Sequence, residues 1–335
     1  MNSNMKQQSR ASLNAYNERD YMSILRALAI FSVVCAHVTD ASGSITNLVI
    51  SSLGAYGVAV FFLLSGYAFS FEKRSFGAFF RRKLTTILIP WLFCGTLDWL
   101  YVVLRKGGIT LSGWASSLFV HSHYYYLTVL FLCYVIMWRI RGNGEMRFCL
   151  FCISVVSVWL TGKGLLDVYP YINVFNWIGY FIVGIEIAER SSLENVSEVL
   201  EKQTHWLIVL CVFAVAWENY DRFAVSYWYH GTIFAIIPMV LLCFGMARRI
   251  QAIKESKLRS TLIGIGKISF SIYLIHMPFA GVLKFIIDRI DLVYLQLLLP
   301  FAVLAIVSGI ILRIRALPLK QSLKRTLDVV MGIRA

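Results

Sequence analysis

Apolar runs alternate with short polar segments along almost the whole chain. A helix of about 20 apolar residues is long enough to cross the hydrocarbon core of a bilayer. The runs cover residues 22–39, 53–71, 84–104, 122–138, 148–163, 171–188, 205–217, 226–247, 262–284 and 293–312. The pattern predicts an all-α polytopic membrane protein with about ten transmembrane helices, of which the fifth and seventh are short.

The basic residues predict how these helices are oriented. Of the 32 Lys and Arg residues, 24 fall in segments on the side of the N-terminus and five in loops on the opposite side. Because positively charged loops are retained in the cytoplasm, both termini are predicted to be cytoplasmic. The net charge of +14 is then a consequence of topology. No segment is long enough for a soluble nucleic-acid-binding domain, so no nucleic-acid partner is predicted.

Three regions follow from this pattern. Residues 1–20 form a polar cytoplasmic segment without the features of a signal peptide, so the first apolar run is expected to be a retained helix. Residues 21–312 form one membrane domain. Residues 313–335 form a basic, amphipathic cytoplasmic tail that is expected to lie on anionic membrane lipid.

The first helix carries two polar side chains, Arg26 and His37, which are costly inside a bilayer. They are eleven residues apart, and eleven steps of about 100° bring them to one face, about 16 Å apart along the axis. An arginine that extends to the lipid headgroups and a packed histidine would also fit. The spacing therefore indicates either an anchor or a polar site along one face.

Other helices add polar groups. The stretch 265–279, "IGKISFSIYLIHMPF", carries Lys267, and its Ser269, Tyr273 and His276 share a helix face. Pro278 follows and is expected to free a carbonyl or kink the helix. Three adjacent cations precede the third helix, where they indicate a cytoplasmic anchor or a phosphate contact: Arg81, Arg82 and Lys83.

Small and aromatic residues mark further positions. The second helix contains Gly54, Gly57, Ser65 and Gly66, which predict close approach of helix backbones, with Ser65 as packing or as a polar pocket contact. Aromatic residues of the outer loops, such as Trp228 and Tyr229, fit an interfacial belt or a platform for stacking sugars.

Six elements together resemble the membrane acyltransferase-3 family over residues 20–312. They are Arg-x10-His in the first helix, "GVAVFFLLSGYAF", "RRKLTTILIPW", "HYYYLTVLF", "WIGYFIVGIEIA" and "ISFSIYLIHMPF". The family comprises bacterial inner-membrane proteins of typically ten helices. They move acyl groups, most often acetyl from acetyl-CoA, onto sugars of surface glycans. The added periplasmic esterase-like domain of some members has no counterpart in this chain.

The resemblance implies roles for individual residues. His37 matches the essential histidine, and Arg26 its basic partner. The basic run before the third helix matches, although Thr86 and Ile87 stand where many members have another arginine. His123 lies where the family often has His-Trp, and here a tyrosine follows it.

The expected activity is O-acetyl transfer from cytoplasmic acetyl-CoA to a hydroxyl of a cell-surface glycan, such as O-antigen, capsule, exopolysaccharide or a lipid-linked sugar. His37 is the expected base because an imidazole titrates near neutral pH, and a transient acyl-histidine is the alternative. Coenzyme contacts are expected from Arg81, Arg82, Lys83 and Lys267. Substrate contacts are expected from Ser65, His123, Tyr273 and His276. No metal is expected.

Three other functions fit the sequence. One is transfer of a different acyl group, such as succinyl. Another is a proton-coupled secondary transporter with His37 and Lys267 in its path. A third is a structural partner of polysaccharide synthesis, in which replacing His37 would have no effect.

Overall fold

The computed structural model describes residues 17–39, 45–218, 232–253, 256–287 and 293–333. In chain order its helices are α1 Glu18–Val38, α2 Ile45–Gly54, α3 Gly57–Ser70, α4 Phe76–Lys83, α5 Ile89–Lys106, α6 Leu111–Ser116, α7 Tyr125–Arg139 and α8 Gly144–Gly162. They continue with α9 Ile178–Arg190, α10 Leu193–Lys202, α11 Thr204–Glu218, α12 Thr232–Ala252, α13 Lys257–Lys267, α14 Ser269–Ile287, α15 Leu299–Ala316 and α16 Gln321–Val330. Shorter turns are the π-helical Leu84–Leu88 and Ser117–His121 and the 3-10 Val174–Asn176 and Val293–Leu298.

The described chain contains six helical segments that are long and apolar enough to cross a membrane. They are Glu18–Val38, Ile45–Ser70, Phe76–Leu104, Gly144–Gly162, Ser269–Ile287 and Leu295–Ala316. Two bent pairs raise the number to eight if each is one crossing: Leu111–Val120 with Tyr125–Arg139, and Leu193–Lys202 with Thr204–Trp217. The predicted all-α, multi-pass architecture is confirmed at this level. Ten crossings and cytoplasmic termini stay predictions.

Several predicted apolar runs differ from the helices that form. The run 262–284 is divided at Ile268 between α13 and α14, and the run 293–312 begins as a 3-10 turn. The run 171–188 is α-helical only from Ile178, and α9 therefore has 13 residues. The Asn173 side chain accepts a hydrogen bond from the Phe175 backbone N–H at 3.1 Å and begins a 3-10 turn instead. Asparagine competes with the helical backbone in this way because its short amide reaches nearby N–H groups.

Helix α1 lies at the centre of the bundle, in contact with α2, α3, α12, α13, α14 and α15. Its first turn is capped by the Asn17 side chain, which accepts hydrogen bonds from the N–H groups of Arg19 and Asp20. Asp20 is also paired with Arg259 at 3.2 Å, which joins α1 to α13. The central helix thus carries Arg26 and His37 inside the fold.

Glycines bring several helices into backbone contact. A Cβ added to Gly66 on α3 would lie 1.9 Å from the Phe181 carbonyl oxygen, and one added to Gly184 on α9 would lie 2.0 Å from the Leu63 oxygen. A Cβ added to Gly266 on α13 would lie equally close to the Ser23 oxygen of α1, at 1.8 Å. Small residues favour such packing within membranes. The close approach predicted for Gly66 is therefore present between α3 and α9.

Candidate active site

Three histidines that are far apart in the sequence meet inside the bundle, where they form what we call the histidine cluster. His37 lies on α1, His123 in the turn before α7, and His276 on α14. The ring centroid of His37 lies 5.9 Å from that of His123 and 5.2 Å from that of His276. The rings of His123 and His276 are 5.1 Å apart and are 6% and 0% exposed.

Pro278 in α14 explains how His123 is held beside that helix. Proline has no N–H, so the carbonyl oxygen of Leu274, four residues earlier, loses its helical partner. The Tyr124 hydroxyl donates a hydrogen bond to that oxygen at 2.6 Å. The Tyr273 hydroxyl donates to the backbone oxygen of His123. These two bonds fix the turn that carries the His123 ring.

The backbone of α14 also fixes the tautomer of His276. Its Nδ1 lies 2.8 Å from the carbonyl oxygen of Tyr273 and 3.2 Å from that of Ile272. Carbonyl oxygens only accept hydrogen bonds, so Nδ1 carries the proton in the neutral ring. The Nε2 atom is buried and has no hydrogen-bond partner in the described part of the chain. It therefore offers a lone pair within the cluster.

A cavity of about 410 Å³ lies beside the histidine cluster, near the C-terminal end of α1. We call it the aromatic cavity, because His37 and His123 line it together with Tyr125, Tyr169 and Tyr171. The Tyr125 and Tyr171 ring centroids are 5.0 Å apart, and those of Tyr169 and Tyr171 are 5.5 Å apart. The cavity has a continuous tyrosine wall opposite two imidazoles.

A buried amide holds the tyrosine-bearing loop in place. Asn176 is 1% exposed, and its Nδ2 donates to the Pro170 carbonyl oxygen at 3.0 Å. Its Oδ1 accepts hydrogen bonds from the hydroxyls of Ser157 and Thr161 on α8. The Trp177 indole N–H donates to the Tyr171 backbone oxygen at 3.0 Å. The loop is thus tied to α8 and to the start of α9.

A second, smaller space of about 120 Å³ lies within the bundle, and we call it the cationic cavity. Arg26, Lys83 and Lys267 line it, and the described residues place no acidic side chain in its wall. Tyr273 also lines it and packs edge-on against the His123 ring at 5.4 Å. Tyr273 therefore connects the histidine cluster, two members of which line the aromatic cavity, to the positively charged space.

The cationic cavity continues into a wider space of about 670 Å³, the basic groove, with which it shares Lys83 and Tyr134. Arg82 and Lys83 line the groove where α4 runs into a π-helical turn. Pro90 lacks the N–H that would bond to the Thr86 oxygen, which favours this wider turn. The Lys83 ammonium donates to the Tyr134 hydroxyl at 3.0 Å.

Glu72 lies in the wall of the basic groove, between two candidate membrane spans. Partial burial raises the pKa of Glu72, but hydrogen bonds and positive charge from Arg74 outweigh this and hold the pKa below its ordinary value. The carboxylate forms an ion pair with Arg74 at 3.0 Å. Its negative charge is thus matched by a cation that does not line the groove, and the groove keeps its positive character.

The site residues predicted from the sequence fall into two groups. The first group surrounds the histidine cluster: His37, His123, Tyr273 and His276. The second group lines the two positively charged spaces: Arg26, Ser65, Arg82, Lys83 and Lys267. Arg81 is exposed and lines neither space.

Sequence reasoning missed the tyrosine wall of the aromatic cavity. Tyr125 belongs to the "HYYYLTVLF" stretch, but nothing in that stretch indicates which tyrosine faces the cavity. Tyr169 and Tyr171 lie in an irregular loop without periodicity. The outer aromatics named from the sequence, Trp228 and Tyr229, lie outside the described residues.

Within the described residues, no three His, Cys, Asp or Glu side chains are arranged to hold a metal ion. The cluster is a set of three imidazoles with hydrogen-bonding groups around them. These features define a multi-pass helical membrane protein with a histidine cluster at an aromatic cavity and, through Tyr273, next to a cationic one.

Comparison with protein families identifies this architecture. The acyltransferase-3 model, described as an acyltransferase domain, matches residues 19–314. The chain belongs to that family and is an acyltransferase, as the sequence motifs predicted. Searches of curated proteins and of solved structures give no match. Membership in this family supports an enzymatic function over the two other possibilities, a secondary transporter and a structural partner of polysaccharide synthesis.

Proposed function

We propose that the protein transfers an acetyl group from cytoplasmic acetyl-CoA to a hydroxyl of a cell-surface glycan or its lipid-linked precursor, in the bacterial inner membrane. The observation that supports this most is that the histidine cluster lines one cavity and contacts, through Tyr273, a second cavity of different chemistry. His37 and His123 line the aromatic cavity, while Tyr273, in contact with His123, lines the cationic one.

The chemistry of each cavity suits one substrate. Coenzyme A carries a diphosphate and a 3′-phosphate, for which the arginine and lysine side chains of the basic groove and cationic cavity are suitable partners. Sugars stack on aromatic rings through their C–H faces, and the wall of Tyr125, Tyr169 and Tyr171 offers such a surface. The thioester would reach the cluster from one side and the hydroxyl from the other.

The reaction follows from general base catalysis. His37 takes the proton of the acceptor hydroxyl as its oxygen attacks the thioester carbonyl carbon. The tetrahedral intermediate collapses, the carbon–sulfur bond breaks, and the departing thiolate takes the proton from the imidazolium. In this scheme the Nε2 lone pair of His276, unpaired within the described residues, accepts a hydrogen bond from the bound acceptor and orients it.

Transfer through an acetyl-imidazole at His37 is the alternative route. In that route the imidazole nitrogen attacks the thioester carbonyl carbon and expels the coenzyme A thiolate. The sugar oxygen then attacks the acetyl carbonyl carbon, the carbon–nitrogen bond breaks, and the released imidazole takes the hydroxyl proton. Incubation with radiolabelled acetyl-CoA in the absence of acceptor separates the two routes, because only the second leaves label on the protein.

The proposal is tested in inverted inner-membrane vesicles that contain the protein and the surface glycan precursors of its host. We expect labelled acetyl-CoA to give base-labile acetyl groups on the glycan. Replacing His37→Gln should lower this rate by about 10²–10⁴-fold, because glutamine cannot cycle a proton. His205→Gln on α11 is the matched control and should retain activity.

Three results would contradict the proposal. Wild-type transfer by the His37→Gln enzyme would mean that the histidine only packs. Efficient transfer from succinyl-CoA but not from acetyl-CoA would mean that acetyl-CoA is not the donor. Absence of coenzyme A binding by the purified wild-type protein would remove the basis for a coenzyme-dependent reaction.

A further inference from the structure

The C-terminal segment folds back onto the membrane domain instead of extending away from it. The family match ends at residue 314, so α16 lies beyond the matched domain. Helix α16 contacts α5, and the Cys94 thiol on α5 donates to the Val330 carbonyl oxygen at 3.6 Å. Ile333 is 7% exposed and belongs to the hydrophobic core.

The end of α16 is a glycine turn that fits against α14. The backbone N–H of Ile333 donates to the backbone oxygen of Asp328, and that of Gly332 donates to the backbone oxygen of Val329. These two bonds are the pattern of a Schellman motif. Gly332 has a φ of +67°, as the motif requires. A Cβ on Gly332 would lie 2.5 Å from the Phe270 ring. The turn therefore packs against α14 at Phe270, about one helical turn before Leu274.

This seating makes the C-terminal segment part of both positively charged spaces. Gly332 lines the cationic cavity and the basic groove. Arg325 and Asp328 on α16 line the basic groove together with Arg82. Asp328 is paired with Arg315 on α15 at 3.8 Å, so its charge is matched from outside the groove wall. Arg325 lies outside the family domain and adds a positive charge to the wall of the basic groove.

On the basis of the proposed function, we infer that α16 forms one wall of the coenzyme site and that Arg325 contacts a coenzyme phosphate. Arginine suits this role because its planar guanidinium binds phosphate oxygens with two parallel hydrogen bonds. The glycine turn holds α16 in register, so that Arg325 and Arg82 line one groove from separate elements. The tail is then a binding element of the coenzyme site.

The test measures coenzyme A binding to the purified full-length protein in nanodiscs of neutral lipid. Replacing Arg325→Ala should weaken binding on the order of tenfold, the range for one hydrogen bond to a charged group. Lys324→Ala is the matched control, because this neighbouring cation on α16 does not line the groove. Dephospho-coenzyme A shows whether the contact is to the 3′-phosphate, since the Arg325→Ala effect would then disappear.

Two further arms separate the possible failures. Equal binding by wild-type and Arg325→Ala protein, with a loss in Arg82→Ala, would overturn the inference and leave the proposed function standing. If the wild-type protein does not bind coenzyme A, both the inference and the proposed function are contradicted. An Arg325→Ala effect that appears only in anionic lipid, and equally for Lys324→Ala, would assign the tail to the lipid surface and overturn the inference.

Discussion

At the residue scale, the two arginines before the third helix differ in their surroundings. Both side chains are exposed, but Arg82 lines the basic groove and Arg81 does not. We expect Arg82→Ala to weaken coenzyme A binding by about tenfold and Arg81→Ala to have a smaller effect. Titration of the two purified variants with coenzyme A measures this difference, and equal losses would mean that general positive charge matters more than position.

The tyrosine wall makes a second residue-scale prediction, for the acceptor. Removing the ring in Tyr171→Ala should raise the KM for purified lipid-linked glycan by about three- to tenfold, because an aromatic stack is worth roughly 0.5–1.5 kcal/mol. The KM for acetyl-CoA should not change. Tyr171→Phe keeps the ring and should resemble the wild type.

Trp159→Ala serves as the control for losing an aromatic ring elsewhere, because Trp159 on α8 is 56% exposed and lines neither the aromatic cavity nor the basic groove. If Tyr171→Ala and Trp159→Ala raise the acceptor KM equally, the aromatic cavity is not the glycan site. If Tyr171→Phe is as damaging as Tyr171→Ala, the hydroxyl rather than the ring contacts the acceptor.

At the scale of elements, the contact between α3 and α9 depends on glycine. Because a Cβ on Gly66 would lie 1.9 Å from the Phe181 oxygen, Gly66→Ala must move the helices apart. Overpacking of this kind costs about 1–3 kcal/mol. Gly77→Ala on α4 is the control, since its Cβ would meet nothing within 4 Å. We expect a lower thermal midpoint in detergent for Gly66→Ala only.

Local sequence predicts some of these elements well and others poorly. The face shared by Arg26 and His37 follows from helical periodicity alone, and the effect of Pro278 follows from its missing N–H. The approach of His123 to Tyr273, 150 residues away, depends on tertiary packing that no local pattern carries. The irregular loop of Tyr169 is fixed by one buried amide, Asn176, which polar composition alone does not distinguish from a surface residue.

At the scale of the whole molecule, the first helix and the C-terminal turn line the same cavity. Gly332 lines the cationic cavity with Arg26 of the first helix, and Asp20 is paired with Arg259 near the start of α13. A chain that begins and ends at the same end of a bundle crosses the membrane an even number of times. The even number of crossings and the side on which the termini lie stay predictions from the apolar runs and the basic residues.

The orientation of this arrangement gives the last prediction. The excess of Lys and Arg on the side of the termini predicts that side to be cytoplasmic, where the cell keeps acetyl-CoA, and the aromatic cavity then faces the periplasm. An alkaline phosphatase fused after Ala335 or Asn143 should be inactive, because it folds only in the periplasm. A fusion after Gly164, close to the tyrosine loop, should be active. Phosphatase activity of the fusion after Ala335 would mean that the termini are periplasmic. The basic groove would then face away from the cytoplasm, where the proposed donor is found. If all three fusions are produced in full and are inactive, the loop after Gly164 is not periplasmic. The predicted crossing by α8 would then be wrong.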